Sequence, residues 1–321
     1  MRSGFSKSSD PRPVFAAGRP ARIGSAVLGL LITGAIANAA SGQTAARNYN
    51  GHLEQFCLAP SAGLSIDHVV VAVSQLRPAE KDFRELGFLL KSGRRHENGL
   101  RNAHIKFRDG SALELMTIEG RATGRVAGEY EAFLASGEGA AFVAIEADLG
   151  KVAAMAETLG LDWRTSSAGP YSWVTVADST PAFFIHWSKR PLDPDSLTDH
   201  VADVSGISSV RLTATDGFGR LLNGLGATRC PAGDSPSSAG VVTARPVQTI
   251  QLLDRLGTRF EIREVTLDGG RCTGARGLDP TRTHGVKIII TPPISCLADG
   301  AVDTSVGPAC GTCTGDRSAG R

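Results

Sequence analysis

A single histidine, His68, lies in the otherwise apolar stretch around "SIDHVVVAV", and a single carboxylate, Glu114, lies in the apolar stretch "ALELM". An imidazole in a strand can transfer a proton, bind a metal ion, or simply fill the core with its nitrogens paired. His68 could therefore act in a site, or donate to a backbone carbonyl or to Asp67. A buried carboxylate without a partner is costly, so Glu114 needs a neighbouring cation. The candidates are a divalent metal ion, Lys106, Arg94, Arg95 or a protonated His104.

Strand alternation predicts that these polar side chains share one surface. Residues two apart in a strand point to the same face, so His68 lies with Ile66, Val70 and Ala72, opposite Val69, Val71 and Val73. The same rule groups Glu114 with Met116, and Asn102 with His104 and Lys106. We expect the valine face to lie under a helix. The polar set is then left for a ligand-facing surface.

The elements that carry these residues recur along the chain. A β-branched strand, a short amphipathic helix and two or three alternating strands appear near residues 64–118, again near 140–187, and a third time near 206–265. The third copy includes "AGVVTA" and ends with "RFEIREV". Each helix is expected to end at a glycine in the left-handed conformation, at Gly87, Gly160 and Gly226. The pattern predicts stacked βαβββ units.

The N-terminus has the order of a secretory signal peptide: a basic segment, an apolar run, and small residues including Ala37-Asn38-Ala39. We expect cleavage after Ala39, which makes 1–39 a signal peptide and places the protein in a secreted or periplasmic location. The apolar run is shorter than the about 20 residues that a helix needs to span a bilayer, so no stable membrane insertion is expected after cleavage. Residues 40–63 are predicted to be a linker, and 269–321 a loop-rich, partly disordered tail around the strand "VKIIIT".

The charge distribution, the composition and the absence of several known motifs narrow the possible functions. The formal charge of the chain is +2, and its Lys and Arg residues are scattered among Asp and Glu, so nucleic acid is not expected as a partner. The 38 glycines and the 6% aromatic content suit short strands joined by turns better than long helices. The sequence has no nucleotide-binding glycine fingerprint, no G-x-S-x-G elbow and no H-E-x-x-H motif.

The six cysteines gain meaning from the predicted export, because disulfides persist in oxidising compartments. Cys230 and Cys272 lie in one predicted module and are the first expectation for a bridge, although six cysteines allow 15 pairings. The terminal "CGTC" resembles a redox or zinc half-site, but no second cysteine pair or nearby histidine supports that interpretation.

The strand "IDHVVVAV", the helix ending "ELGF", the segment "SGRRHENGLRNAHIKF" and the strand "SALELM" together resemble the glyoxalase-like members of the vicinal oxygen chelate superfamily. The closing "PAFFIHW" of the second copy and "SSVRLTA" of the third extend the similarity. The resemblance implies an α+β fold in which repeated βαβββ modules form a cupped mixed sheet. Two paired modules would form a glyoxalase-like domain over residues 64–190, and 206–268 would be an additional third module without site residues.

In metal-using relatives the ligands come from the first and last strands of each module. The resemblance maps these positions to His68 and Glu114 in the first module and to Ala141 and His186 in the second. His68, Glu114 and His186 would then hold a divalent metal ion of unknown identity and leave positions open for substrate oxygens. Ala141 removes the fourth ligand, as in binding-only relatives, so the absence of a metal stays open.

Other residues are assigned around this site. His96 and Asn102 match the family's pocket wall and are predicted to orient a substrate, and Trp173, with Trp163 and Trp187, could line the cavity. His104 is a candidate general base.

Two functions follow from these assignments. One is an exported, metal-assisted lyase, isomerase or dioxygenase acting on a small oxygenated molecule. The other is a non-catalytic protein that binds or sequesters a small molecule. Relatives often pair modules between chains, so a homodimer is an open possibility.

Overall fold

The apolar strand that contains His68 forms β2 (Ser65–Ala72), and the amphipathic segment after it forms α1 (Leu76–Glu85). The computed structural model describes residues 54–177, 181–230, 247–254, 261–270 and 274–292. The predicted signal peptide, the segment "AGVVTA", Cys272 and the end of the tail lie outside these ranges. No helix in the described part of the chain has the length and apolar character needed to cross a membrane.

An eight-stranded sheet contains the first two predicted modules. Its strands run in the order β3-β4-β5-β2-β6-β9-β8-β7. Their bounds are β3 (Lys91–Arg95), β4 (Leu100–Lys106), β5 (Ala112–Ile118), β6 (Gly139–Glu146), β7 (Trp163–Ala168), β8 (Tyr171–Val176) and β9 (Ala182–Trp187). β2 is parallel to β5 and β6 is parallel to β9, while β2 and β6 pair antiparallel at the centre. The two modules thus repeat one topology on either side of this central pair.

Helices complete these modules. α1 follows β2, and α3 (Leu149–Thr158) follows β6, as the sequence pattern predicts. The expected left-handed glycines are confirmed, since φ is 92° at Gly87, 68° at Gly160 and 95° at Gly226. A further helix, α2 (Gly124–Leu134), lies between β5 and β6 and has no counterpart in the predicted repeat.

A seven-stranded sheet occupies the second half of the chain, in the order β11-β1-β12-β10-β13-β15-β14. The short helix α4 (Asp195–Thr198) leads into it, and α5 (Asp216–Gly224) follows its first strand. Its strands are β1 (Glu54–Leu58), β10 (Val204–Ala214), β11 (Thr228–Arg229), β12 (Gln248–Asp254), β13 (Ile262–Gly269), β14 (Arg276–Gly277) and β15 (Ile288–Thr291). The short strand predicted in "VKIIIT" is confirmed as β15.

The third module differs from its prediction in two ways. β1, which lies in the segment predicted as linker, occupies the place that β4 has in the first module, between β11 and β12. β13, predicted to end the third module, pairs antiparallel with β10 and parallel with β15, as β6 pairs with β2 and β9. It therefore begins a partial fourth module. The linker prediction is wrong for Glu54–Leu58, because this five-residue segment is held as a strand by partners about 170–200 residues further along the chain, which local pattern does not indicate.

The predicted bridge between Cys230 and Cys272 is wrong, because Cys230 is bonded to Cys57. The bond joins β1 to the end of β11, across 173 residues of sequence. Cys57 pairs with Thr228 in the strand register, which brings the two sulfur atoms together once β1 has joined the sheet. Cys57 could not be predicted as the partner of Cys230 without first predicting the strand β1.

One apolar core serves both sheets. It contains Val69 and Val71 of β2 and Val73 directly after it, which confirms the predicted valine face, together with Val210 of β10 and Phe218 of α5. A buried amide also connects the sheets, because the Gln248 side chain accepts from Ile66 N at 2.6 Å and donates to Ile207 O at 2.8 Å. The two sheets are therefore held together by apolar burial and by paired backbone groups.

Candidate functional site

The cup face is defined here as the face of the eight-stranded sheet that carries His68, Glu114, Phe183 and Trp173, opposite the valine core. The edge of the His68 ring meets Phe183 of β9, with ring centroids 5.8 Å apart. Side chains from both modules therefore meet across the central β2–β6 pair, as the paired-module prediction requires.

His68 is held between two carboxylates. Its Nδ1 lies 2.6 Å from Asp67 Oδ1, and its Nε2 lies 3.3 Å from Glu114 Oε2. The side chains are mostly buried, with 14% of His68, 4% of Asp67 and 12% of Glu114 exposed. The pairing with Asp67 is one of the two alternatives that the sequence left open for His68.

This arrangement fixes the charges of all three groups. Burial alone would lower the pKa of His68, but the hydrogen bonds and charges of Asp67 and Glu114 raise it to about 9. Burial alone would raise the pKa of Asp67, but the hydrogen bond and charge of His68, with Arg190, lower it to about 2. The pKa of Glu114 is likewise held well below its usual range, against burial, by His68, His104 and Asn102. At neutral pH the site holds an imidazolium between two carboxylates.

Asn102 anchors the second oxygen of Glu114. Its Nδ2 donates to Glu114 Oε1 at 2.6 Å, while its Oδ1 accepts from Arg94 N at 2.9 Å. The absence of a side chain at Gly93 makes this possible, since a Cβ there would lie 2.0 Å from Asn102 Oδ1. Asn102 is thus a positioning residue for the carboxylate, and Glu114 finds its partners in His68 and Asn102 instead of the four cationic side chains considered from sequence.

Asp67 is tied to the end of the second module. Trp187 Nε1 donates to Asp67 Oδ2 at 2.9 Å, and the Arg190 guanidinium forms ion pairs with both Asp67 and Glu146. Arg190 also lies over the Trp187 ring, 5.6 Å from its centroid. These contacts fix the carboxylate that holds His68.

The second module contributes aromatic rings to the cup face. Register places Trp173 beside Ile185, and Tyr171 beside Trp187. The Tyr171 ring lies 5.9 Å from that of Trp173 and 5.0 Å from that of Trp187. One half of the face is therefore polar and charged, and the other half is apolar and aromatic.

The helix α2 covers one end of the cup face. Ala127 and Tyr130 of α2 pack with Val70, Ala72 and Met116 in a second apolar cluster. Burial, followed by the charge of Glu114, raises the pKa of Tyr130 well above its ordinary value, so its hydroxyl keeps its proton. The helix thus shields the side of the site that contains Glu114.

Two neutral imidazoles flank Glu114. His104 pairs with Glu114 in the strand register, and burial lowers its pKa to about 4. Burial, with the nearby Arg94 charge, also lowers the pKa of His96. His96 Nε2 is one of two buried side-chain nitrogens that have no hydrogen-bond partner in the described part of the chain. An unpaired buried nitrogen is costly, and a ligand could satisfy it.

His186, predicted as the third metal ligand, does not join His68 and Glu114. It is exposed and lies between Ile185 and Trp187 in β9, so its side chain points to the face opposite theirs. Phe184, which shares its face, lies in the valine core. The alternation rule that correctly grouped the first-module residues places His186 away from the cup when it is applied to β9.

The side chains present do not fit the metal site that the resemblance implies. The two predicted ligands of the first module, His68 and Glu114, are paired with each other, and the second ring nitrogen of His68 is paired with Asp67. The second module offers Ala141 and the aromatic residues where further ligands would be needed. Within the described ranges, no three His, Cys, Asp or Glu side chains are grouped to hold an ion.

Several residues of the site were missed from sequence: Asp67, Tyr130, Tyr171, Phe183 and Arg190. Phe183 and Tyr171 could have been found by extending strand alternation to the second module. Asp67 could not, because a bulge in the pairing of β2 with β6 between Ile66 and His68 interrupts alternation there. The same bulge makes the prediction for Ile66 wrong, since Ile66 lies in the valine core and not on the face of His68. Tyr130 and Arg190 lie outside the strands, so no periodic pattern indicates them.

A known protein family matches part of the chain. Residues 66–220 match the family described as glyoxalase-like domain. This part of the chain matches a glyoxalase-like domain, which confirms the resemblance predicted from the sequence. None of the curated protein sequences matches the chain.

Several solved structures are similar to this chain at low sequence identity. A hypothetical protein from Staphylococcus aureus is 14% identical with a TM-score of 0.48, over 71% of this chain and 99% of that one. The 2,3-dioxygenase LapB from Pseudomonas sp. KL28 is 12% identical with a TM-score of 0.46, over 71% and 91%. Methylmalonyl-CoA epimerase from Mycobacterium tuberculosis is 19% identical with a TM-score of 0.32, over 39% and 88%.

Proposed function

We propose that this chain is an exported protein that binds a small planar molecule on the cup face, without a metal ion. The observation that carries the proposal is that polar groups and aromatic rings lie side by side on one face of the sheet. An ionised carboxylate and an unpartnered imidazole nitrogen lie on one half, and aromatic rings lie on the other. Ligand sites typically combine an apolar wall with a few fixed polar groups.

The polar half favours a ligand with hydrogen-bond donors at one edge. Glu114 is ionised and accepts hydrogen bonds, while neutral His104 and His96 can each donate or accept. A flat ring could pack on Trp173 and Phe183 and present a hydroxyl group to Glu114. We therefore infer a hydroxylated aromatic ring as the ligand class.

The donor set favours binding over metal-assisted turnover. A metal-assisted reaction would need ligands from the second module, and the cup face has aliphatic and aromatic residues there. His104, the candidate general base, has a pKa lowered to about 4, which makes it a weak base at neutral pH. Its role in this proposal is to orient the ligand.

Export to a secreted or periplasmic location is supported by the order of segments in residues 1–39 and by the bond between Cys57 and Cys230. Disulfides of this kind persist where thiols are not kept reduced. The mature chain recovered from the exported fraction should begin at Ala40, which mass spectrometry of its N-terminus tests. A chain retained in the cytoplasm with residue 1 intact would contradict export.

Ligand binding is tested by thermal unfolding of the purified protein with phenol, resorcinol and toluene, with a metal chelator present throughout. Stabilisation should follow the number of hydroxyl groups and reach about 2.7 kcal/mol at a ligand concentration 100 times Kd. Trp173→Ala should weaken binding through loss of ring contact, and Glu114→Gln should remove the preference for hydroxyl groups.

Trp163→Ala is the matched control. Trp163 is also a tryptophan of the β7–β8 hairpin, but it pairs with Val176 on the face away from Trp173 and is 40% exposed. It should bind as the unmodified chain does. Binding that disappears in chelator, or a stoichiometric metal ion in the purified protein, would refute the metal-free proposal.

A further inference from the structure

A groove separate from the cup face lies at the junction of the two sheets. Its volume is about 730 Å³, which is within the range of about 300–1,000 Å³ found for small-molecule sites. One wall is the segment that leads from β1 into β2, and another is the start of α3. Ser172 and His186, which pair across β8 and β9, line it from the sheet face opposite the cup.

The inner surface of the groove is apolar. Leu58, Leu64 and Ile66 line it and are each no more than 2% exposed, and Leu149 extends the same surface. These side chains come from the N-terminal segment, from β2 and from α3. Because Leu58, Leu64 and Ile66 are already almost fully buried, a ligand with an apolar body would gain free energy chiefly by covering the half-buried Leu149.

Carboxylates dominate the charged part of the lining. Asp109, Glu146 and Asp148 line the groove together with one guanidinium, that of Arg190. Arg190 is already paired with Asp67 and Glu146, and it donates to Gly110 O at 3.0 Å. The lining thus has three carboxylates against one guanidinium that is already paired, so the charge that a ligand meets is negative overall.

Two of these carboxylates suit an incoming cation. Asp148 caps α3 through Oδ1, which accepts from Gly150 N at 2.9 Å and from Lys151 N at 3.1 Å, so the cap leaves Oδ2 for a ligand. Glu146 meets Arg190 through Oε2, at 2.7 Å. Both side chains lie at the end of β6, beside the apolar surface.

We infer that this groove is a second ligand site, which takes an amphipathic organic cation: an ammonium group held by Glu146 and Asp148, and an apolar body packed on Leu64, Ile66 and Leu149. Arg190 forms the wall between this site and the Asp67 carboxylate of the cup face. The site is independent of the metal-free ligand proposed for the cup.

The test uses three probes with the same apolar body: 4-phenylbutylammonium, 4-phenylbutan-1-ol and 4-phenylbutyrate. Isothermal titration of the full chain at low salt should show the ammonium probe binding at least about fivefold more tightly than the alcohol, and the carboxylate more weakly still. Added salt should narrow these differences, because the charges are partly exposed. Equal affinities for the three probes, or no binding of the ammonium probe, would overturn the inference.

Variants locate the site. Asp148→Asn retains a good helix cap and removes one charge, and Glu146→Gln removes the other; each should weaken ammonium binding about threefold or more, and together they should reduce it to the level of the alcohol. Glu157→Gln, an equal charge change on the exposed surface of α3, should leave it within about twofold. Unchanged binding by Asp148→Asn and by the double variant would refute the site. Loss of binding in Trp173→Ala would place the probe on the cup face and refute it equally.

Discussion

The eight-stranded and seven-stranded sheets repeat one strand arrangement but carry different chemistry. In the first, β2 places His68 between Asp67 and Glu114, whose side chains are 4% and 12% exposed. In the second, the equivalent strand β10 carries Arg211, whose Nε donates to Gln251 at 2.8 Å and whose side chain is 35% exposed. Glu264 there is paired with Lys287 at 2.6 Å. The same topology therefore supports two different charged sites. In the first sheet both the cation and the carboxylates are mostly buried, whereas in the second the buried Glu264, with 10% of its side chain exposed, is paired with cations that stay in contact with solvent.

The comparison also shows two ways to complete a module. The first sheet is built from consecutive segments, whereas the second takes β1 from before the first sheet and fixes it with a disulfide. Sheet geometry is thus conserved between the halves, and the charged site depends on side chains at a few positions. Substitutions in one sheet, compared where possible with matched substitutions in the other, test this difference.

The largest effect is expected from Cys57→Ser. Loss of a bond across 173 residues should lower the free energy of unfolding by about 4–5 kcal/mol in the chain-entropy account. All three tryptophans lie in the first sheet, so their fluorescence during denaturation reports on the half without the disulfide. We expect that signal to shift with the circular dichroism, because the sheets share a core. The double variant with Cys230→Ser serves as control, and separate transitions would show that the halves unfold independently.

The next effect is expected from His68→Gln, which leaves two buried carboxylates without their shared cation. The free energy of unfolding should fall by about 3 kcal/mol at pH 6. Lys287→Gln in the second sheet should cost less than about 1 kcal/mol, because Lys287 is 61% exposed and Arg211 remains near Glu264. Urea denaturation of both variants measures the contrast. Equal losses would mean that the two clusters are energetically equivalent.

The stabilisation by His68 should depend on pH in a defined window. Because the pKa of His68 is raised from 6.5 to about 9, its contribution is complete below pH 6.5 and is lost as pH rises toward 9. Because the pKa of Asp67 is lowered from 3.8 to about 2, its contribution is complete above pH 3.8 and is lost as pH falls toward 2. The stability difference between the unmodified chain and His68→Gln should therefore be greatest between these limits. A pH-independent difference would refute the paired charges.

Gly93→Ala should cost about 2 kcal/mol, since its Cβ would lie 2.0 Å from Asn102 Oδ1 and 2.3 Å from Asn102 O. It should also weaken ligand binding on the cup face by freeing Glu114. Gly277→Ala, in β14 of the second sheet, meets nothing within 4 Å and serves as the control. Denaturation midpoints and the thermal shifts with resorcinol measure both effects. A neutral Gly93→Ala would show that Asn102 does not fix the carboxylate.

The smallest effect is expected from Asp268→Asn in the second sheet, and it has the opposite sign. Burial, with the nearby charge of Asp109, raises the pKa of Asp268 from 3.8 to about 6. The ionised form is therefore disfavoured in the folded chain, and stability is lost as pH rises through this range. The variant should be more stable by about 1 kcal/mol at pH 7 and should gain nothing below pH 3.8. A loss of stability at pH 7 would contradict this.

Local pattern identified the parts of the fold that depend on neighbours in sequence. Alternation in β2, β4 and β5 grouped His68, Glu114, Asn102 and His104 correctly, because a strand's period is independent of what it pairs with. Gly87, Gly160 and Gly226 marked helix ends, since the left-handed conformation strongly favours glycine. The predicted metal triad fails at His186, because the same alternation applied to β9 puts this side chain on the face opposite His68 and Glu114.

By itself, the sequence determined the βαβββ repeats, the valine core face and the polar face that carries His68 and Glu114. Tertiary structure alone decided that β1 joins β11 and β12, that Cys57 is the partner of Cys230, and that Asp67, Arg190 and Trp187 meet at His68. The period of apolar residues in a strand or helix indicates the face of that element to which each side chain points. The distance between groups more than a hundred residues apart is set by sheet pairing and core packing, and those distances determine which charges are paired and whether a metal ion has ligands.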